Sequence, residues 1–277
     1  MNAYFLNNKN QSLLNQKNTI MKKIIFILCL LNFFIAKGAD KIMYNISQKG
    51  LNIRQSPSDK AKVIGTIPYG AKLSQLGSKN VDPNMDTRID INGLVCYWVK
   101  VKYQNIEGYV IDAYLLPWQA PKANTKTLED YIIQISKPLG NPYIYKDNIK
   151  ENGMPLYTIE NKKQLYQNGW FISKSIGYEE GGSVYYIPSL SMNQVYCLVQ
   201  LIEDFKYPFT TNTMLKLGTF NTATAQHDSI EWKTDAQIID HFKYYNKIEI
   251  NWAEGPYYSL QIIEVNDGVI VSFSSGV

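Results

Sequence analysis

From Met43 onward the sequence alternates apolar and polar residues in short stretches and breaks each one with turn residues. A period of two interrupted this often dictates short strands and leaves no space for a long helix. Gly50-Leu51-Asn52-Ile53-Arg54 alternates, Ser56-Pro57-Ser58 turns, Lys62 to Ile67 extends, and Pro68-Tyr69-Gly70 turns again. Ala71 to Leu76 follows, then a polar insert, then Tyr97 to Tyr103, with Val99 and Val101 on one face and Lys100 and Lys102 on the other. Gln104 to Glu107 turns into Gly108-Tyr109-Val110-Ile111, and Ala113-Tyr114-Leu115 closes the unit. Aromatic content points the same way: 21 Tyr, 10 Phe and 5 Trp make 13% of the 277 residues, and such rings favour strands. That length favours two modest domains, and 45% hydrophobic against 19% charged residues suffices to bury a core in each.

Four blocks in this stretch, Gly50 to Arg54 with Pro57-Ser58, Val63 to Gly70, Trp98-Val99-Lys100-Val101, and Gly108-Tyr109-Val110, stand in an order that resembles bacterial SH3-like (SH3b) domains. The resemblance covers residues 42–116. It implies a small five- to six-stranded barrel of a kind common in exported envelope proteins, often beside cell-wall enzymes, that binds peptidoglycan or a protein peptide. Tyr69, Trp98 and Tyr114, at or near strand ends, are the expected ligand-binding positions, with simple packing as the competing role. The insert from Gly77 to Leu94 is longer than the family's tight connection. Its Asp82, Asn84 and Asp86 occupy positions one, three and five of a calcium loop, but Thr87 takes the glycine position and Gly93 that of the bidentate Glu. A solvated polar loop is the expectation there.

The charge is unevenly placed. Residues 1–38 hold five lysines and no other charged side chain, and without them 23 basic side chains face 24 acidic ones. Nothing basic remains to hold a phosphate backbone, which sets nucleic acid aside as a partner. Met21-Lys22-Lys23, the apolar run Ile24 to Ala36 broken only by Asn32, and Ala36-Lys37-Gly38 read as a secretory signal peptide, with Met21 as the possible true start. The run is too short to span a bilayer, so no membrane span is expected in the mature chain. Ile27-Leu28 before Cys29 do not fit a lipidation site. The mature protein is expected in the periplasm or outside the cell. There Cys96 and Cys197 are two thiols in an oxidising space, and a disulfide between them is a candidate.

Pro117 to Lys126 reads as a linker (117–126), and residues 127–277 as a β-rich α+β domain of no recognised family. The Thr127-Leu128-Glu129-Asp130 capping box opens a short helix with Leu128, Tyr131, Ile132 and Ile135 on one face. Strands are expected at 143–145, 156–159, 170–172, 183–187, 195–202, 216–220, 248–252, 257–265 and 269–273. Asn266-Asp267-Gly268 joins the last two as a hairpin. A second capped helix is expected from Thr234 to Tyr244. The fold class is therefore mainly β, a small SH3-like barrel followed by a β-rich α+β domain.

Catalytic patterns are sparse. Cys197 lies in an apolar stretch with no local cation to activate a thiolate. His227 and His241 are the only histidines and lack a zinc-site spacing, so neither metal nor cofactor is expected. Glu179-Glu180 before Gly181-Gly182 is the most conspicuous carboxylate pair for muramidase chemistry, against the plainer reading of an exposed acidic turn. Tyr185-Tyr186, Tyr244-Tyr245, Trp252 and Tyr257-Tyr258 offer material for an aromatic platform or for a core. The sequence thus favours a non-catalytic, exported envelope protein that binds peptidoglycan or a protein peptide. A cell-wall hydrolase with an unrecognised carboxylate site and a secreted inhibitor or host-interaction factor are the alternatives.

Overall fold

The computed structural model describes residues 40–77, 87–91, 94–210, 221–225, 228–239, 242–253 and 255–276. The expected leader, the calcium-like Asp82 to Asp86, the strand at 216–220 and both histidines lie outside these residues.

The N-terminal sheet comprises β1 (Lys41–Asn45), β2 (Leu51–Arg54), β3 (Val63–Ile67), β4 (Lys72–Gln75), β5 (Arg88–Ile91), β6 (Leu94–Tyr103), β7 (Ile106–Ile111) and β8 (Leu115–Leu116). They are ordered β3-β2-β7-β6-β4-β1-β8, with β5 added on β6. Among the described residues no pairing of β3 with β8 closes this antiparallel sheet, so the barrel of the expectation is an eight-stranded sheet. The insert accounts for the extra strand. β6 is ten residues long, and its first half pairs with β5 while Lys102 and Val101 pair with Ser74 and Gln75 of β4.

The period of two on β6 serves two cores. Leu94 and Cys96 point into a core shared with the second domain, whereas Val101 points into the core of the N-terminal sheet with Met43, Leu51, Ile53, Ile67, Leu73 and Val110. β8 repeats the device in two residues, with Leu115 in one core and Leu116 in the other. Successive side chains of a strand face opposite ways, so a strand buried on both faces must lie between two apolar layers. Two positions admit little else. A Cβ on Gly108 would stand 2.5 Å from the Arg54 carbonyl oxygen, so β7 approaches β2 only because that residue is glycine. Asn45 is fully buried, and its amide donates to the carbonyls of Ile67 and Pro68 while its Oδ1 accepts from the Ser47 N–H.

The second domain is a nine-stranded antiparallel sheet ordered β13-β14-β15-β16-β17-β12-β11-β10-β9. Its strands are β9 (Tyr143–Glu151), β10 (Met154–Leu165), β11 (Phe171–Ile176), β12 (Glu180–Pro188), β13 (Asn221–Ala225), β14 (Asp228–Ile239), β15 (Phe242–Ala253), β16 (Tyr257–Val265) and β17 (Gly268–Gly276). Alternating residues Ile248, Ile250 and Trp252 of β15, Leu260 and Ile262 of β16, and Val269 and Val271 of β17 are all buried in the shared core. The helices α1 (Leu128–Ile135), α2 (Met192–Val199) and α3 (Lys206–Thr210) accompany this sheet. α1 is closed by the expected capping box: the Asp130 N–H donates to Thr127 Oγ1 and the Thr127 N–H to Asp130 Oδ2, both at 3.0 Å.

Two expectations are corrected here. The stretch expected as a strand at 195–202 is mostly helix, because Ser191-Met192-Asn193-Gln194 is itself a capping box and Val195, Leu198 and Val199 bury one helical face. The helix expected at 234–244 is instead the β14–β15 hairpin, paired from Ile230–Trp252 to Ile239–Phe242 with a bulge after Asp235. A ladder of that length outweighs a local cap. The expected linker is not loose. Trp118 packs edge-on against Trp170 at 5.5 Å, the Tyr131 hydroxyl donates to the Gln119 carbonyl, and the Tyr69 hydroxyl donates to the Pro121 carbonyl at 2.6 Å.

Candidate functional site

The first turn of α2 ties the two domains together. Asn193 Nδ2 donates to the Val95 carbonyl at 3.1 Å and to Asp112 Oδ1 at 3.2 Å, and Gln194 Nε2 donates to the Leu115 carbonyl at 2.6 Å. Asp112 begins the 3-10 turn Asp112–Tyr114 and also accepts the Tyr97 N–H at 2.8 Å. Burial pushes its carboxyl up to about 6, although the donors from Tyr97, Ala113 and Asn193 oppose the shift. An acid within one hydrogen bond of both domains is therefore close to half-protonated in mildly acidic water.

Beside this joint lies a cavity of 480 Å³, walled by Ile46, Leu94, Cys96 and Tyr114 from the N-terminal domain and by Tyr196, Cys197 and Phe209 from the second. Lys49 and Lys206 also line it, both exposed, one from each domain. Burial pushes the Tyr114 hydroxyl up to about 12, with Cys197 and Cys96 adding to the effect. The Cys197 thiol is raised by burial first, then by Cys96 and Asp112. Neither group ionises at neutral pH, so with Cys96 the cavity offers an O–H, two thiols, apolar walls and two lysine side chains.

Of the three expected ligand-binding aromatics, Tyr114 lines this cavity. Trp98 is only 5% exposed and has no face to offer a ligand, because it stands on the inward side of β6 two residues after Cys96. Tyr69 is 37% exposed, with its hydroxyl committed to the connecting segment. Sequence reasoning missed Asn193, Gln194 and Asp112 as the joint. The Ser191 to Gln194 capping box was the available signal for the first two, and none marked Asp112.

Glu179 and Glu180 sit at the β11–β12 turn, exposed beside Tyr178, which is 81% exposed. A separate acidic cluster, Glu129, Asp130 and Asp204, borders a cavity of 380 Å³. There Glu129 pairs with Lys162 at 3.1 Å and Asp130 is held in the α1 cap. Burial raises the Asp204 carboxyl, with Asp130 and Glu203 adding and Lys174 and Lys126 opposing. Among the described residues, no cluster of three His, Cys, Asp or Glu could hold a metal ion, and no helix is long and apolar enough to cross a membrane.

The family model described as "Bacterial SH3 domain" matches residues 49–115, and the rest of the chain matches no family. No curated protein and no solved structure matches the chain. The match falls on the eight-stranded N-terminal domain, and the chain carries a bacterial SH3 domain there.

Proposed function

We propose that this protein is exported to the cell envelope and acts there as a non-catalytic binding protein. The cavity between its SH3 domain and its second domain takes the end of a peptide, from peptidoglycan or from a protein partner. Bacterial SH3 domains are commonly cell-wall or peptide-binding modules, which supplies the ligand class. The observation that carries the reading is the composition of the cavity, which joins apolar walls to one lysine from each domain. A small aliphatic residue followed by a carboxylate fits that pairing of surface and charge. With Tyr114 held protonated, its hydrogen is a donor to such a ligand.

The test is co-sedimentation of the full chain with purified sacculi. Wild-type protein is expected in the pellet, and Lys49→Glu combined with Lys206→Glu is expected to weaken binding by about fivefold or more. Binding to a soluble peptide with a free carboxylate but not to sacculi would select the protein-peptide branch. Binding to neither would refute the reading. Export is checked by N-terminal sequencing, which should find Ala39 or Asp40 first; an intact residue 1 or 21 in a cytoplasmic fraction would end it. The acidic cluster of Glu129, Asp130 and Asp204 favours the second reading, a wall hydrolase, and a clearing zone on a zymogram would replace the first with it.

A further inference from the structure

We propose that Cys96 and Cys197 join in a disulfide that fixes the SH3 domain to helix α2. Both line the interdomain cavity as thiols, and Cys96 lies in the shared core against which Cys197 packs. Helical geometry brings the second close to the first. Asn193 reaches the carbonyl of Val95, the residue before Cys96, and Cys197 follows Asn193 by four positions. Side chains so spaced share one helical face about 6 Å apart, so Cys197 lies one turn along from a contact with Cys96's own neighbour. The mutual influence of the two thiols agrees with that placement.

The chemistry also fixes when the bond would form. Joining the sulfurs releases two protons and two electrons. The electrons reduce the disulfide of an oxidising thiol compound, through a mixed disulfide, to two thiols. A thiol held protonated by burial attacks such an oxidant poorly, and Cys96 is only 1% exposed. The bond therefore forms while the chain folds, before α2 closes on β6, and is shielded from reductant afterwards. It is structural rather than a reversible surface switch. In the cell this rests on the export reading, because a reducing cytosol would keep the thiols apart; the purified chain tests the chemistry without it.

The experiment unfolds and reduces the full chain, refolds it in mixed reduced and oxidised glutathione, alkylates free thiols and maps the peptides without reductant. A linked pair carrying Cys96 and Cys197 is expected. Because the bond closes a loop of roughly a hundred residues, the melting temperature should stand roughly 5 °C or more above that of the chain refolded with reductant. Cys197→Ser, folded by near-ultraviolet circular dichroism, should abolish both the linked pair and the reductant-dependent difference. Recovery of Cys96 and Cys197 both alkylated from a folded chain, a bond from either to Cys29, or a difference that survives in Cys197→Ser would each overturn the proposal.

Discussion

Replacing Asp112 with Asn should stabilise the protein near neutral pH and leave it unchanged in acid. The folded state raises this carboxyl from 3.8 to about 6, which means that the native structure favours the protonated form by ~3 kcal/mol. Because the native value lies above the unfolded one, the contribution is fully present below pH 3.8 and is lost as pH climbs through about 6. At pH 7.5 the wild-type joint holds a buried carboxylate at its full penalty. Asparagine keeps an acceptor oxygen for the Tyr97 N–H and the Asn193 amide and carries no charge. Its Nδ2 puts a donor where the neutral acid puts its O–H, so the variant resembles the protonated wild type, and a net stabilisation of about 2–3 kcal/mol is expected at pH 7.5. Urea unfolding of both proteins from pH 4 to pH 8 measures this. Other carboxylates contribute to each curve and cancel in the difference, which should rise from near zero at pH 4 to its plateau above pH 7. A difference that stays flat across the series, or an Asn variant less stable at pH 7.5, would show that burial does not govern this carboxyl.

Asn45→Ala should destabilise the SH3 domain by about 1–3 kcal/mol in urea unfolding, because the buried carbonyl of Ile67 and the part-buried one of Pro68 lose the amide that satisfies them. Gly108→Ala sets a methyl group 2.5 Å from the Arg54 carbonyl oxygen and 2.6 Å from Ile53 Cγ2. Overpacking of this kind typically costs about 1–3 kcal/mol, and hydrogen exchange should quicken at the β2–β7 contact.

Much of the SH3 half was legible because its information is local. Val63 to Ile67 and Gly108 to Ile111 alternate or turn within a few residues, and strands stand there. The second domain shows where locality fails. Two capping boxes of the same form, Ser191 to Gln194 and Thr234 to Gln237, sit before apolar residues, yet the first opens a helix and the second lies inside a strand. What separates them is the partner each finds: β15, next in the chain, pairs along nearly the whole of β14, whereas Gln194 finds the Leu115 carbonyl in another domain. The cavity was half visible. Tyr114 stands out in the sequence as a ligand-binding position and Cys96 with Cys197 as a candidate disulfide, but their meeting in one cavity depends on the docking of α2 onto β6, and a strand over 195–202 contains no such helix. Trp98 shows the converse: read from the sequence near the start of a strand it has the composition of a binding residue, and only its place within the longer β6 and its 5% exposure reveal that it is covered.

The strands with two apolar faces bear on how this protein could be inherited and cut. A bacterial SH3 domain is usually thought of as a part that can be moved between chains, but here severing the chain near Trp118 would strip cover from Ile46, Leu94, Cys96, Ala113 and Leu116 at once. Those side chains lie on the outer layer of the SH3 sheet only because another domain completes it, so the severed half would associate with itself or aggregate. Recombination that swaps either half alone would be selected against, and the two should diverge as a pair, each change at the β6–α2 contact constraining the residues allowed on the other side.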